Sequence, residues 1–353
     1  MGTSGAEFED YVMMLAERLG HADRVVPMRN YCTGLMLPVE RKSIEPMAAQ
    51  LAPTRVRAEH PRLHHFVANA AWDDAALLGA VREHVVGSAP SARAVPAVLI
   101  LDDTGFPKKG KASVGVARQY GGQVGKQDNC QVAVSVSLAN EHYSLPVAYR
   151  LYLPESWASD APRRASCGVP DALEFATKPR IALALLEQAR TGTACPGTVV
   201  ADAGYGVDTA FRERLGALGL SYVVGITGAV SLWPEGQTPG LPQRTSKRGR
   251  PPTRLRDEAY PPVSAKALAL QLPPASYRRV TWREGTNTAL RSRFAAVRVR
   301  AAHRHRPRPE EWLLIEWPAG DAEPFKYFRK HAAGTHAPER TGPRRQAALA
   351  HRA

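Results

Sequence analysis

Three acids carry the chemistry this chain could do: Asp102, Asp103 and Asp202. Asp102 and Asp103 end an apolar run at 97–101, bounded by Pro96 and by Gly105-Phe106-Pro107. That pattern predicts a buried strand. A carboxylate at the mouth of a buried strand is costly unless it is solvated, paired or holding a cation. Taken alone, Asp102-Asp103-Thr104 would be accounted for by an Asx turn closing the strand. A second acid in the same setting changes the reading: Thr198-Val-Val-Ala-Asp202-Ala-Gly-Tyr-Gly206 is again a short apolar run, then Asp, then glycines. Two such acids on a basic chain point to a divalent-metal site acting on phosphodiesters.

The elements that must position these acids follow from periodicity. After the strand ending at Asp103 comes a long loop with Lys108, Lys109, Lys111, Arg118 and Lys126 among glycines, able to approach a phosphate backbone or simply to be solvated. Residues 131–138 alternate as a strand should, and 144–151 return as a third strand. Residues 178–190 predict a helix, 198–201 a fourth strand ending at Asp202, 207–218 a helix and 221–226 a fifth strand. The order βββαβαβ, with acids after the first and fourth strands, is the ribonuclease-H-like α/β order. In it those two strands are neighbours, so the acids converge, and a further closing helix supplies a third carboxylate.

Around this core (93–226) the chain divides further. Residues 1–92 read as helical, with Phe8, Val12, Leu15 and Leu19 at helical spacing, further helices ending near Leu51 and across 61–67 and 73–86, and the linker Gly87-Ser-Ala-Pro-Ser-Ala92. A small bundle is the plain reading, and a DNA-end-binding region the functional one. Residues 227–318 read as a β-rich insertion with strand-like runs at 267–272, 278–282, 294–299 and 312–316. Its basic loop, Lys247-Arg248-Gly-Arg250-Pro, resembles the core of an AT-hook, with a disordered basic loop as the alternative.

Composition sets outer limits. The chain of 353 residues is 44% apolar and 23% charged, ordinary for a globular protein. No apolar run approaches a membrane span and the acidic start (Glu7, Glu9, Asp10) is unlike a signal peptide, so the expected setting is the cytoplasm without membrane contact. Four scattered cysteines and unpatterned histidines (His64-His65, His303-Arg-His305) support neither a disulfide framework nor a zinc site. The net charge of +14 fits a polyanionic partner. Residues 329–353 hold six Lys/Arg against one acid and supply +5 of it, which leaves +9 on the rest.

Four motifs go further: Asp-Asp-Thr-Gly-Phe-Pro-Lys-Lys-Gly at 102–110, Gln-Tyr-Gly-Gly-Gln-Val-Gly-Lys-Gln-Asp-Asn-Cys-Gln at 119–131, Leu-Pro-Glu-Ser-Trp at 153–157 and Ala-Asp-Ala-Gly-Tyr-Gly at 201–206. Over roughly residues 8–328 the chain resembles DDE transposases of the insertion-sequence-701 branch of the insertion-sequence-4 group. The resemblance implies Mg²⁺ (with Mn²⁺ as a substitute) held by acids against double-stranded DNA, at insertion-sequence terminal repeats and at target sites. It implies Asp103 and Asp202 as the first two catalytic and metal-binding acids, leaves the role of Asp102 open, and implies a homodimer when two ends are synapsed.

The third acid of that pattern, in Tyr-x2-Arg-x3-Glu-x6-Lys on the closing helix, has no match here. Glu316 and Glu323 read as ordinary surface acids, and residues 319–353 as the end of the core followed by an aberrant Ala/Arg/His/Pro-rich tail from Arg329. A frameshift near Phe328 is the hypothesis: with GC-rich codons, the shifted frame from Lys330 permits a string containing Arg-x3-Glu. The expectation is a transposase by descent whose present copy lacks the closing helix and is truncated and catalytically impaired. The alternatives are a protein that binds DNA ends without cleaving and inhibits the intact enzyme, and an unrelated metal-dependent nuclease.

Overall fold

The computed structural model describes residues 3–87, 98–122, 125–140, 143–190, 197–237, 239–242, 255, 261–283, 290–303, 305 and 307–331. The chain divides into two compact units, Met1–Ala94 and Val95–Ala353. The linker 88–92, the basic motif around Lys247, Arg248 and Arg250, and the segment 332–353 lie outside the described residues.

The first unit is all helical: α1 (Thr3–Ala16), α2 (Val25–Met36), α3 (Ile44–Leu51), α4 (Val56–Ala68) and α5 (Asp74–Gly87). Leu15, Leu19, Met28, Phe66 and Ala80 make its core. The apolar spacing that predicts α1 therefore does bury one face. Helix α2 was not foreseen, because its polar residues interrupt the period. It sits close to α3 at Gly34, where an added Cβ would lie 3.2 Å from Met47. Asn30 Nδ2 donates to the buried Glu59 at 2.7 Å, which satisfies an otherwise costly acid.

The second unit is built on one mixed sheet. Its first strands are β1 (Val98–Pro107), β2 (Ala117–Gly121), β3 (Lys126–Ala139) and β4 (Ser144–Leu151). After the short helices α6 (Glu155–Ala158) and α7 (Ala161–Ser166) come α8 (Lys178–Arg190), β5 (Thr198–Ala201), α9 (Ala203–Gly206), α10 (Thr209–Ala217) and β6 (Ser221–Ile226). Then follow β7 (Ser231–Pro234), β8 (Val263–Ser264), α11 (Ala265–Gln271), β9 (Arg278–Arg283), β10 (Leu290–Ala301), β11 (Glu310–Trp317) and β12 (Lys326–His331). The sheet runs β2-β3-β1-β5-β6-β12-β11-β10-β7-β8, with β4 also on β3 and β9 also on β10.

The centre is the parallel trio β1, β5 and β6. Val199, Val200, Ala201, Leu99 and Leu101 are buried there, which is why these strands read as unbroken apolar runs rather than alternating ones. Helix α8 packs on β3 and β4 through Ile181, Leu185 and Leu186. Val98, Ile100, Val200, Phe294, Leu314 and Phe328 belong to one apolar cluster, so the strands of 227–318 share a core with the first strands and extend their sheet.

Three expectations need correction. The loop after Asp103 is largely strand: β1 continues to Pro107 and β2 pairs with the start of β3. Residues 267–272 are not a strand but most of α11, because the Ser264 hydroxyl accepts from Ala267 N at 3.0 Å as an N-cap, and Ala265, Leu268 and Ala269 bury a helical face. Arg329 is not the start of an unpacked tail. It lies in β12 between Val224 of β6 and Leu313 of β11, buried and ion-paired to Glu311.

Candidate functional site

Strand pairing brings the acids together. The parallel register sets Leu99 opposite Val199, Ile100 opposite Val200 and Leu101 opposite Ala201. Asp102-Asp103, inside β1, therefore lie beside Asp202, which directly follows the end of β5. Asp202 is the N-cap of α9, and its Oδ1 accepts from Gly204 N at 2.9 Å. Helix α9 lies directly against β6: a Cβ on Gly206 would fall 1.8 Å from the Gly225 carbonyl oxygen, and one on Gly225 would fall 2.7 Å from Ala203 N. Only paired glycines permit that approach. It carries Tyr205 inward, where its ring tilts against Phe211 at 5.9 Å.

Asp103 receives a partner on each oxygen. Lys178 Nζ, from the first residue of α8, donates to Oδ2 at 2.5 Å. The Tyr205 hydroxyl donates to Oδ1. Burial, and next the Asp103 charge, push the Tyr205 phenol far above its ordinary range, so it serves as a donor. The Asp102 side chain is exposed and its Oδ1 accepts from Asp103 N at 2.7 Å; both residues lie inside β1, so no Asx turn closes the strand at this point.

The electrostatics suit a cation. Partial burial raises the Asp202 carboxyl above the usual carboxylate range; the Asp103 charge adds to this, while backbone N–H bonds and Lys178 oppose it. Asp102 is raised as well, by desolvation at the strand end and then by Asp202 and Asp103. The Asp103 charge thus bears on both Asp202 and Asp102, a divalent ion relieves such repulsion, and hard oxygen donors suit Mg²⁺ or Mn²⁺. Asp103 and Asp202 are the residues that would hold it. Among the described residues, no group of three or more His, Cys, Asp or Glu is close enough together to hold a metal ion.

Lys108, Lys109, Lys111, Arg118 and Lys126 are all exposed on the β1–β2–β3 ribbon and the turn it carries. That turn is tied from behind. Asn129 Nδ2 donates to Lys108 O at 2.6 Å and Gly110 O at 2.9 Å, and Gln131 Nε2 donates to Val114 O at 2.6 Å. The fully buried Trp157 donates from Nε1 to Val116 O at 2.7 Å, and Arg163 lies over its ring and donates to Lys111 O at 2.7 Å. Gly115, at φ 76°, lies so near Tyr152 O that a Cβ would meet it at 2.9 Å. The amides of motif 119–131 and the tryptophan of 153–157 thus tie down the backbone that carries Lys108, Lys109 and Lys111, a basic surface able to face a polyanion.

Sequence reasoning missed Lys178, Tyr205 and the amides behind the basic turn. A signal existed for Lys178. It opens a helix with no acid in its first turn, the end where acids and not lysines are favoured, so its charge answers something outside the helix. Tyr205 sits inside Ala-Asp-Ala-Gly-Tyr-Gly, but nothing local says that its hydroxyl reaches another strand. Among the described residues no helix is long and apolar enough to cross a membrane.

Comparison with known proteins bears on this arrangement. The family described as "DDE superfamily endonuclease" matches residues 14–289. The chain is also similar to the "Probable transposase for insertion sequence element IS701" of Microchaete diplosiphon, 33% identical over 165 residues, which is 46% of this chain and 40% of that protein. The match thus spans well under two thirds of that relative's length.

Proposed function

The chain belongs to the DDE superfamily of endonucleases, and from that premise we propose a transposase by descent, with a two-acid metal site at Asp103 and Asp202 directed at DNA. One observation carries this reading: two acids distant in sequence lie side by side, Asp103 within β1 and Asp202 at the end of its parallel neighbour β5, each perturbed or held by charged neighbours. The strand order β4-β3-β1-β5-β6 supports a ribonuclease-H-like core, since it is the order in which first- and fourth-strand acids converge. A bound divalent ion would supply Lewis acidity and an activated oxygen nucleophile. The chain's own part is to fix Asp103 through Tyr205, to hold Asp202 at the start of α9, and to present Lys108, Lys109, Lys111, Arg118 and Lys126 to phosphates. Lys247, Arg248 and Arg250 belong to the same proposal as a second DNA contact. The DNA is the terminal repeats of an insertion sequence and its target, with a homodimer joining two ends in the cytoplasm.

The reading includes weakened catalysis in this copy. Glu323 is exposed on the connection between β11 and β12, and Glu316 lies on β11, so both are separated from β1 in the sheet order by β5 and β6. Neither stands in for the acid of a closing helix. If the reading frame shifts, the buried pairing of Arg329 argues that the shift falls after that residue.

The test is binding and cleavage of duplexes carrying the flanking ends of the locus, in Mg²⁺ and in Mn²⁺. Expected are end-specific binding that weakens steeply with salt and feeble, metal-dependent nicking abolished by Asp103→Asn or Asp202→Asn. Binding with no nicking in either metal would favour the end-binding inhibitor. Efficient cutting of DNA without such ends would favour a general nuclease and sink the transposase reading.

A further inference from the structure

The two partners of Asp103 differ in kind. Tyr205 is 2% exposed, belongs to a helix locked on β6 by Gly206 and Gly225, and packs on Phe211. Its hydroxyl cannot leave Oδ1 without unpacking α9. Lys178 stands at the other extreme: its side chain is 30% exposed, it starts its helix, and its ammonium lies 5.5 Å from the centroid of the Tyr152 ring. A lysine stem has four rotatable bonds and a compact charge that water readily receives.

We infer that Lys178 is the resident counter-ion of the acidic site, displaced from Asp103 Oδ2 when a divalent cation enters, while Tyr205 is a positioning residue that holds Oδ1 throughout. The inference rests on Asp103 being a metal ligand. Asp102 and Asp103 in β1 lie beside Asp202 at the end of β5, and the Lys178 ammonium, paired with Asp103, offsets part of the negative charge there in the metal-free protein. The oxygen it occupies is the one left to a metal, because the other is engaged from the buried side. A displaced Lys178 remains beside the site and adds its charge where a DNA phosphate would lie.

Opposite signs separate this from a merely structural role. Mn²⁺ is titrated calorimetrically into the full chain and its variants at fixed ionic strength, with melting curves to verify folding. Lys178→Met should tighten Mn²⁺ binding by roughly two- to fivefold, the strength of a partly exposed ion pair no longer competing. Lys178→Arg should stay near wild type, and Tyr205→Phe should weaken binding roughly tenfold through loss of ligand orientation. In the unaltered protein, acylation of the Lys178 amine should rise as Mn²⁺ saturates, which tests the inference even if Lys178→Met does not fold. Unchanged acylation, or a Lys178→Met protein that binds Mn²⁺ no tighter than wild type, overturns the inference. The Asp103→Asn variant separates the two levels. If it loses Mn²⁺ while Lys178→Met fails to tighten, only the counter-ion role is lost. If it binds as wild type does, the metal reading of Asp103 fails and the inference with it.

Discussion

Replacing Arg329 by methionine gives the sharpest test of the fold, because this side chain is 2% exposed and its guanidinium meets the Glu311 carboxylate, itself 5% exposed. The other Glu311 oxygen accepts from the Tyr222 hydroxyl at 2.6 Å, so the network ties β6, β11 and β12 together. Burial, and next the Arg329 charge, lower the nearby Arg212 to about 10, which shows how dry the region is. Methionine fills much of the volume but leaves Glu311 a buried anion with only a phenol in direct contact. Breaking a buried pair from one side costs ~3–5 kcal/mol. The lower half of that range applies, since Arg212 and Arg308 still act on Glu311 at a distance. For a unit of this size the melting temperature should fall by about 6–16 °C, at roughly 2–4 °C per kcal/mol. The assay is thermal unfolding followed by far-UV circular dichroism, with Glu311→Gln and the double variant completing a cycle. The double variant should recover a substantial part of the loss, since the uncompensated charge is gone. A single variant melting within about 2 °C of wild type, or a strictly additive cycle, refutes the reasoning and with it the integration of β12 into the sheet.

Three further outcomes are expected. Asp202→Asn should raise the melting temperature of the metal-free protein, because asparagine caps α9 as well as aspartate does and removes a carboxylate whose pKa is raised by burial and by Asp103. Raised folded-state values also fix the sign of the pH dependence: the contribution of Asp102 and Asp202 to stability is present at low pH and is lost as pH climbs above 3.8 through their raised values. Acid–base titration of stability in wild type against Asp202→Asn measures it. Gly206→Ala should force α9 off β6, costing ~1–3 kcal/mol or more, and should weaken Mn²⁺ binding as Tyr205→Phe does. Asn129→Ala should release the turn carrying Lys108 and Lys109, seen as faster amide exchange at 108–116 and weaker DNA binding with little change in melting temperature.

Much of this was legible in the sequence, and for a definable reason. Buried parallel strands read as short apolar runs, so β5 and β6 match their expected spans, while β1 starts where expected but runs on past Asp103 to Pro107. The errors fell where periodicity carries little information. Residues 267–270 alternate alanine with leucine, a pattern open to strand or helix until Ser264 caps it. Ribbon strand β2 is polar on both sides, so it resembled a loop.

What the sequence alone determined is the class of the chain and where its candidate acids stand: apolar runs leading to Asp103 and Asp202, a basic balance, and helices grouped before strands. Tertiary structure alone decided which groups meet those acids. Lys178 reaches Asp103 across 75 positions and Tyr205 across 102, each placed by a helix docking on the sheet. It also decided that Arg329 pairs with Glu311 inside the sheet. Local propensity acts over a turn or two of chain, whereas a buried charge is matched by whichever partner the packed sheet delivers, and sequence spacing does not encode that delivery.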